Sequence, residues 1–195
     1  FNPQSPYAAA KAFGHFLTLN YRKSYKLFAV SGILFNHESP LRGEEFVTRK
    51  IIIGFINILK KKKAFIELGN INAKRDWGYA KEYVEAMWKM LQKKSPKDYV
   101  ISTGKTYSVK EFVNEVANYL NFKTKWVGND VNAKLVDKKT RKGIVKINKK
   151  YFRPAEVNFL KGDSSKAKKE LKWSPKTNLK KLVKIMVDEE LKYFN

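Results

Sequence analysis

The chain has 195 residues, of which 43% are hydrophobic and 14% aromatic. This is enough apolar material for a packed core, and it excludes a disordered basic tail. Cysteine is absent and only two histidines are present, which excludes disulfides, Cys-ligated zinc and cysteine nucleophiles and argues against a metal site. No apolar run reaches the roughly 18 residues of a transmembrane helix, and the first residues do not resemble a signal peptide.

The net charge of +23 comes from 41 Lys and Arg residues against 18 Asp and Glu, and 35 of the 41 are lysines. Nucleic-acid surfaces draw on arginine for bidentate and stacking contacts. Here the lysines are scattered over nearly the whole chain, so we interpret the charge as a compositional bias and expect no nucleic-acid partner. A basic nucleic-acid-binding module stays an alternative, which predicts an affinity for DNA that falls steeply with salt.

Helix and strand signals alternate along the chain. Ser5 and Pro6 are typical of a helix start, and Ser108 with Glu111 predicts a capping box. In chain order, we predict a helix at 7–24, a strand at 27–34, a loop at 35–43, a helix at 46–59, a strand at 65–68, a loop at 69–78, a helix at 79–93, a strand at 99–102, a helix at 108–120, a strand at 122–127, a loop at 128–142, a strand at 144–147, a short helix capped by Asp163 and a helix at 179–193.

This alternation predicts an α/β fold with parallel strand pairing. The continuous apolar run at 27–34 predicts a strand buried on both faces. The alternation with lysine at 144–147 predicts an edge strand, and the segment 128–147 is expected to form a surface hairpin without a function. No strand is followed by a Gly-rich phosphate-binding motif. If the fold binds a dinucleotide, we therefore expect its phosphate-binding half to lie outside this chain.

Tyr7 and Lys11 lie four residues apart on the first predicted helix, so their side chains share one face. A neighbouring ammonium favours the phenolate and brings the phenol's pKa down from its usual value of about 10. Tyr7 is therefore a candidate general base, and Lys11 could also donate to a ribose hydroxyl. The alternative is a chance pair on a surface helix. The small alanines at 8–10 favour the functional interpretation, because they let a flat cofactor or sugar approach.

A second group of candidates follows the apolar strand 27–34, where α/β folds bind ligands. It consists of Asn36, His37, Glu38 and Arg42. Histidine and arginine at this place suit the oxygens of ribose and phosphate. The alternative is that His37 and Glu38 are ordinary solvated loop residues.

Arginine is scarce in this lysine-rich chain, so its positions carry information. Four of the six arginines lie in or beside polar motifs, at positions 42, 49, 75 and 153. Arg75 begins the string Arg-Asp-Trp, and Arg153 begins Arg-Pro-Ala-Glu. Arginine where lysine is the default cation favours bidentate contacts with phosphate or carboxylate. The alternative is that Asp76 and Glu156 simply pair with neighbouring arginines.

Together these motifs resemble those of the GDP-mannose 4,6-dehydratases, a family of extended short-chain dehydrogenases/reductases. The matching strings are SPYAAAK (5–11), LFAVSGILFNHESPLRGEEFVTRKI (27–51), RDWGYAKEYVEAMW (75–88), YFRPAEV (151–157) and a KGD…KAKKELKW-P stretch (161–175). The Y-x-x-x-K pair occurs throughout the superfamily. The other motifs are more specific, and they distinguish this chain from sugar-nucleotide epimerases and dTDP-glucose dehydratases.

The resemblance implies part of a Rossmann-like, doubly wound sheet that binds NADP, mainly in residues 1–64, and a smaller α/β region for the nucleotide sugar, mainly in 65–195. Tyr7 would take the C4 hydroxyl proton of GDP-mannose while hydride passes to NADP, and Lys11 would hold the nicotinamide ribose. His37 and Arg42 would contact NADP. The residues implied to line the GDP-mannose site are Asn36, Val47, Lys50, Arg75, Arg153 and Glu156.

The implied reaction is oxidation at C4, loss of water across C5–C6 and return of the hydride to C6, which gives GDP-4-dehydro-6-deoxy-D-mannose. In such a family the Gly-rich NADP loop, and a Thr and a Glu that assist catalysis, precede the Tyr motif. Roughly 150 residues would then be missing, so we expect a carboxyl-terminal fragment that is inactive and poorly stable alone. A full-length form is expected to be cytoplasmic, without membrane attachment, and a homodimer or homotetramer.

Two other functions stay open at this point. One is another NDP-sugar epimerase or reductase on the same fold, which turnover of UDP- or dTDP-sugars would reveal. The other is a catalytically inactive structural or regulatory paralogue, which residues 1–195 do not exclude.

Overall fold

The computed structural model describes residues 2–152, 155 and 157–193. Its α-helices are α1 (Pro6–Tyr25), α2 (Val47–Leu59), α3 (Ala80–Leu91), α4 (Val109–Tyr119), α5 (Ser165–Leu171) and α6 (Leu179–Lys192). Its strands are β1 (Gly32–Leu34), β2 (Asn36–Glu38), β3 (Ile66–Leu68), β4 (Lys74–Arg75), β5 (Trp77–Tyr79), β6 (Tyr99–Ile101), β7 (Tyr107–Ser108), β8 (Thr124–Val127), β9 (Lys134–Asp137) and β10 (Gly143–Ile147).

The predicted helix starts are confirmed at α1 and α4. Ser5 Oγ accepts a hydrogen bond from the Ala8 amide at 3.1 Å, and Pro6 occupies the first turn of α1. At α4, Ser108 Oγ accepts from the Glu111 amide at 3.1 Å, while Glu111 Oε2 accepts from the Ser108 amide at 2.7 Å. Helix α5 differs from the prediction, because its N-cap is Ser164 and not Asp163.

Four strands form a sheet in the order β3-β10-β9-β8, with β10 parallel to β3 and antiparallel to β9. The prediction of β10 as an edge strand is therefore wrong, and so is the loop prediction for the segment that contains β9. Lysine alternation was misleading because Lys146 lies with its ammonium 3.5 Å from the centroid of the Phe65 ring. The β9–β10 pair is a hairpin as predicted, but Leu135 and Val145 are fully buried, so it belongs to the core.

The remaining strands form three short pairs: β1 with β6 and β2 with β5 in parallel, and β4 with β7 antiparallel. The predicted loops 35–43 and 69–78 thus contain β2, β4 and most of β5, whose last residue, Tyr79, lies in the predicted helix 79–93. The predicted strand 27–34 is real only at Gly32–Leu34. It is not buried on both faces, since Ile33 is 47% exposed. Within the described residues β1 pairs with β6 alone, so its other edge lacks the neighbour that burial requires.

Two hydrophobic clusters hold the fold together. The larger one lies between α2, α4, α6 and the four-stranded sheet, and Phe55 and Phe112 are fully buried in it. The smaller one lies between α3, α5 and β6, around Tyr83 and Trp173. The indole of Trp173 donates to the Glu82 carbonyl at 2.8 Å, which ties the segment after α5 to α3. Each cluster combines residues that are distant in the sequence, so segments of the two clusters alternate along the chain.

Helix α1 belongs to neither cluster. Each of its side chains is exposed or half-buried. Arg22 connects it to the rest of the protein through an ion pair with Asp98 and a hydrogen bond to the Ala29 carbonyl at 2.6 Å. In the part of the chain that the structure describes, no helix combines the length and apolarity needed to cross a membrane.

Candidate functional site

Tyr7 and Lys11 share one face of α1, as their spacing predicts. The Lys11 ammonium lies 5.6 Å from the centroid of the Tyr7 ring. Tyr7 is 71% exposed, and the three alanines between the two residues are exposed or half-buried. A phenol beside an ammonium on an accessible surface of small residues leaves room for a ligand to reach both groups.

His37 lies in β2, where it pairs in register with Gly78 of β5. Its Nδ1 is 2.9 Å from the Phe35 carbonyl, and its ring stacks on Tyr83 with centroids 5.2 Å apart. A Cβ at Gly78 would collide with the Tyr83 ring, so glycine permits this close packing. His37 is half-buried and its Nδ1 is held by a backbone group, so it is not an ordinary solvated loop residue.

Glu38, at the end of β2, is only 2% exposed. Thr48 Oγ1 donates to Glu38 Oε2 at 2.6 Å, and Arg42 Nε lies 3.3 Å from the same oxygen. Burial raises the pKa of Glu38 above its usual 4.5, and the Thr48 hydrogen bond and the charges of Arg42 and His37 oppose this effect. The alternative of a solvated loop residue is therefore wrong for Glu38.

Val47 and Lys50 lie in the first turn of α2, directly after this loop. The Lys50 ammonium lies 3.8 Å from the centroid of the Tyr151 ring. Burial lowers the pKa of Lys50 from its usual 10.5, and nearby Glu67 opposes this effect. Lys50 faces a cavity of about 360 Å³, whose lining also includes Glu44, Ile53, Gly54, Lys63, Phe65, Ile66, Glu67 and Tyr151.

Arg75 ends β4, and its Nη1 donates to the Lys74 carbonyl at 2.9 Å. The next residue, Asp76, is fully buried. Its carboxylate accepts hydrogen bonds from the Thr103 amide at 2.8 Å and hydroxyl at 2.6 Å, and from the amides of Gly104 at 2.9 Å and Gly162 at 3.3 Å. Asp76 is thus held by two loops, and the alternative that it simply pairs with a neighbouring arginine is wrong.

Arg49 also differs from its interpretation as part of a ligand-binding motif. It lies on α2, where its guanidinium pairs with Glu190 of α6 at 2.9 Å and donates to the Arg42 carbonyl at 2.8 Å. Arg49 therefore joins two helices and fixes the loop that precedes α2. Arg153 and Glu156, the last two predicted site residues, lie outside the described residues.

The structure brings together Asn36, His37, Arg42 and the start of α2, because β2 leads directly into the loop before that helix. Within the described residues, no hydrogen bond, ion pair or ring contact joins Tyr7 or Lys11 to this group. Sequence reasoning missed the anchoring role of Asp76 and the burial of Glu38. The described residues contain no group of three or more His, Asp or Glu placed to hold a metal ion.

Comparison with known proteins gives matches along nearly the whole chain. The family model for GDP-mannose 4,6 dehydratase matches residues 1–186. The GDP-mannose 4,6 dehydratase of Drosophila melanogaster is 50% identical over 191 residues, which are 98% of this chain and 48% of the relative. That of Vibrio cholerae is 48% identical over 201 residues, with 98% of this chain and 54% of the relative covered. The chain thus spans about half the length of the curated relatives it matches.

Solved structures share the fold at much lower identity. RMD from Pseudomonas aeruginosa, complexed with NADPH, gives a TM-score of 0.78 at 15% identity over 96% of this chain and 56% of that one. The dTDP-glucose 4,6-dehydratase of Bacillus anthracis, in complex with NAD, gives 0.77 at 20% identity over 98% and 54%. These structures confirm the predicted α/β architecture as part of a Rossmann-like fold. Because the family model matches residues 1–186, which are most of the chain, this chain belongs to the GDP-mannose 4,6-dehydratase family.

Proposed function

We propose that this chain is the catalytic and substrate-binding part of a GDP-mannose 4,6-dehydratase, which converts GDP-mannose to GDP-4-dehydro-6-deoxy-D-mannose and water. One observation carries the proposal. The identity is 48–50% with relatives that bear this name, but 15–20% with structures of other proteins on the same fold. This contrast favours a dehydratase of GDP-mannose over an epimerase or reductase that acts on another NDP-sugar.

Tyr7 is the proposed general base for oxidation at C4. Its phenol would take the proton of the C4 hydroxyl, and the Lys11 ammonium on the same helix face would stabilise the phenolate. When bound, NADP would supply the acceptor for the C4 hydride and return it to C6. The exposed Tyr7–Lys11 face, the half-buried His37 and the guanidinium of Arg42 match the hydroxyl and phosphate groups of such a cofactor.

Lys50 and Arg75 are proposed to bind the GDP part of the substrate, together with Asn36 and Val47. Lys50 lies at a cavity with two aromatic rings, those of Phe65 and Tyr151. A cation beside aromatic rings suits a pyrophosphate attached to a flat base. We include Arg153 and Glu156 in this site on the resemblance of their motif alone.

The assembly and location of the full-length form belong to the same proposal. Residues 1–64 are assigned mainly to the NADP-binding part and 65–195 mainly to the nucleotide-sugar part. We expect a homodimer or homotetramer in the cytoplasm. Exposed apolar side chains on α1, such as Phe13 at 67% and Phe16 at 50%, support packing of this helix against further protein.

The proposal is tested by Tyr7→Phe in a full-length form, in which this chain is joined to the amino-terminal part that the relatives have. Loss of a general base should lower turnover of GDP-mannose by about 10²–10⁴-fold, while binding of GDP-mannose stays within about twofold. The matched control is Tyr25→Phe at the other end of α1, where the side chain is 66% exposed; it should leave turnover unchanged.

Substrate identity is measured in the same assay with UDP- and dTDP-sugars. Preferred turnover of one of these sugars would contradict the proposal, and so would a Tyr7→Phe variant that retains wild-type turnover. The 195-residue chain alone is expected to show no turnover, because the resemblance places two further catalytic groups before the Tyr motif.

A further inference from the structure

Two contacts hold the guanidinium of Arg42, and a third holds its backbone. Its Nε lies 3.3 Å from Glu38 Oε2, and its central carbon lies 3.5 Å from the centroid of the Phe46 ring. The backbone carbonyl of Arg42 accepts a hydrogen bond from Arg49 at 2.8 Å. An arginine on an exposed loop is ordinarily mobile, but these contacts restrict both the backbone and the plane of the side chain.

Glu38 is the buried member of this arrangement. A carboxylate that is 2% exposed loses its hydration and requires hydrogen bonds and a nearby cation. Thr48 provides a hydrogen bond at 2.6 Å, and the ion pair that the structure describes for Glu38 is the one with Arg42. The interaction between Glu38 and Arg42 is therefore set by the fold and is only weakly screened by solvent.

The orientation of Arg42 leaves its outer edge available. The Nε atom is buried and donates no hydrogen bond within the described residues, so its contact with Glu38 is an ion pair, while the side chain as a whole is 24% exposed. Among the described residues, neither terminal nitrogen of Arg42 has a hydrogen-bond partner. Two parallel N–H groups on a fixed plane match two oxygens of one phosphate.

We propose that Glu38 is a positioning residue for cofactor binding. With Phe46 on the flat side, the Glu38 carboxylate fixes the guanidinium of Arg42 so that its terminal nitrogens meet a phosphate of the bound dinucleotide. A side chain ordered before binding loses less conformational freedom when the ligand arrives, so affinity increases without a new contact. This inference rests on the proposed function, in which Arg42 contacts NADP.

The test is Glu38→Gln in the full-length form. Glutamine has the shape of glutamate, and its carbonyl can still accept from Thr48, but it no longer attracts Arg42. The Kd for NADP should rise about tenfold, while kcat at saturating NADP and the KM for GDP-mannose stay within about twofold. Glu45→Gln is the matched control, because it removes the same charge from an exposed position in the same loop; it should leave the Kd unchanged.

Arg42→Met and the double variant Glu38→Gln/Arg42→Met separate this inference from the proposed function. If Glu38 acts through Arg42, both variants should bind NADP equally weakly. An unchanged Kd in Arg42→Met would overturn the role of Arg42 in the proposed function. A higher Kd in Arg42→Met with an unchanged Kd in Glu38→Gln would overturn the positioning role alone.

Phe46→Leu tests the same alignment if Glu38→Gln does not fold. Phe46 is 41% exposed, so its replacement is tolerated by the fold, but it removes the ring that restricts the plane of the guanidinium. The Kd for NADP should rise severalfold at unchanged kcat. An unchanged Kd, or a loss of kcat with the Kd unchanged, contradicts the proposal.

Discussion

Two acidic residues of the polar motifs, Glu38 and Asp76, are buried, and each lies near an arginine that is more accessible. Glu38 is 2% exposed and Asp76 is fully buried. Glu38 restrains the Arg42 side chain directly, whereas Asp76 fixes the backbone next to Arg75 through the loops that contain Thr103 and Gly162. In both motifs the acid holds the local structure next to an arginine that we propose to bind a ligand.

Asp76→Asn should destabilise the protein strongly. Asparagine has the shape of aspartate, but one carboxylate oxygen is replaced by an amide NH₂ group. That group cannot accept from the backbone amides that hydrogen-bond to Asp76 in the wild type, so buried donors lose their acceptor. The free energy of unfolding should fall by about 3 kcal/mol, as measured by urea denaturation of the full-length form. The control is Asp163→Asn, an exposed residue that accepts from Ser165. A loss from Asp76→Asn no larger than that from the control would contradict the anchoring role.

The burial of these two acids illustrates what sequence reasoning does not reach. Tyr7, Lys11 and His37 are candidates because their motifs can be recognised from neighbouring residues in the sequence. The state of Glu38 depends on Thr48 and that of Asp76 on Gly162, which is 86 residues away in the chain. Local polarity predicts exposure at such positions, because nothing in the motif itself shows which distant donors the fold will supply.

At the scale of elements, the long ones were predictable and the short ones were not. The longer helices carry an apolar face that repeats over several turns, and α1 and α4 also have capping residues at the predicted places. Strands β2, β4 and β5 have two or three residues, too few for a period. They form because β2 and β5 pair with each other and β4 pairs with β7, which depends on the folded arrangement.

The capping box of α4 yields a prediction at this scale. Ser108→Ala removes the acceptor of the Glu111 amide, and it should lower the free energy of unfolding by about 1 kcal/mol at neutral pH. The variant is compared with wild type by urea denaturation of the full-length form. Ser165→Ala, at the start of the short helix α5, is the control, because Ser165 is not the N-cap there. An equal loss of unfolding free energy in Ser108→Ala and Ser165→Ala would show that the capping box does not stabilise α4 specifically.

The same box predicts a dependence on pH. The backbone amide and the hydroxyl of Ser108 donate to the Glu111 carboxylate and hold its pKa below the usual 4.5. A depressed folded-state pKa means that this stabilisation is fully present above pH 4.5 and is lost as the pH falls through the lower folded value. The difference in the free energy of unfolding between wild type and Ser108→Ala should therefore become smaller below pH 4.5. A difference that widens there would contradict this account.

At the scale of the whole molecule, the excess of positive charge is distributed over the surface and serves local packing. Several lysines lie over aromatic rings, including Lys50 over Tyr151, Lys110 over Trp126 and Lys146 over Phe65. Their ammonium groups lie 3.8, 5.1 and 3.5 Å from the respective ring centroids, so these lysines pack against aromatic surface. The net charge of +23 thus coexists with an ordinary α/β core.

The whole molecule also divides into a packed body and a weakly attached helix. The larger cluster contains buried side chains of both α4 and α6. Opening of either helix therefore exposes much of the core. Helix α1 buries none of its side chains, and Arg22 connects it to Asp98 by an ion pair. Local opening of α1 therefore costs far less free energy than opening of α4.

Hydrogen exchange of this chain should show this division directly. Amides of α1 are expected to exchange at least about 100-fold faster than those of α4 and α6, since each 1.4 kcal/mol of opening free energy changes the rate about tenfold. Arg22→Gln should accelerate exchange in α1 further and leave α4 unchanged, because it removes the link to Asp98 without touching either cluster. Lys23→Gln, an exposed neighbour on the same helix, is the control and should change neither helix. Protection of α1 equal to that of α4 would show that the helix is integrated into the core, and the exposed aromatic side chains of α1 would then need another explanation.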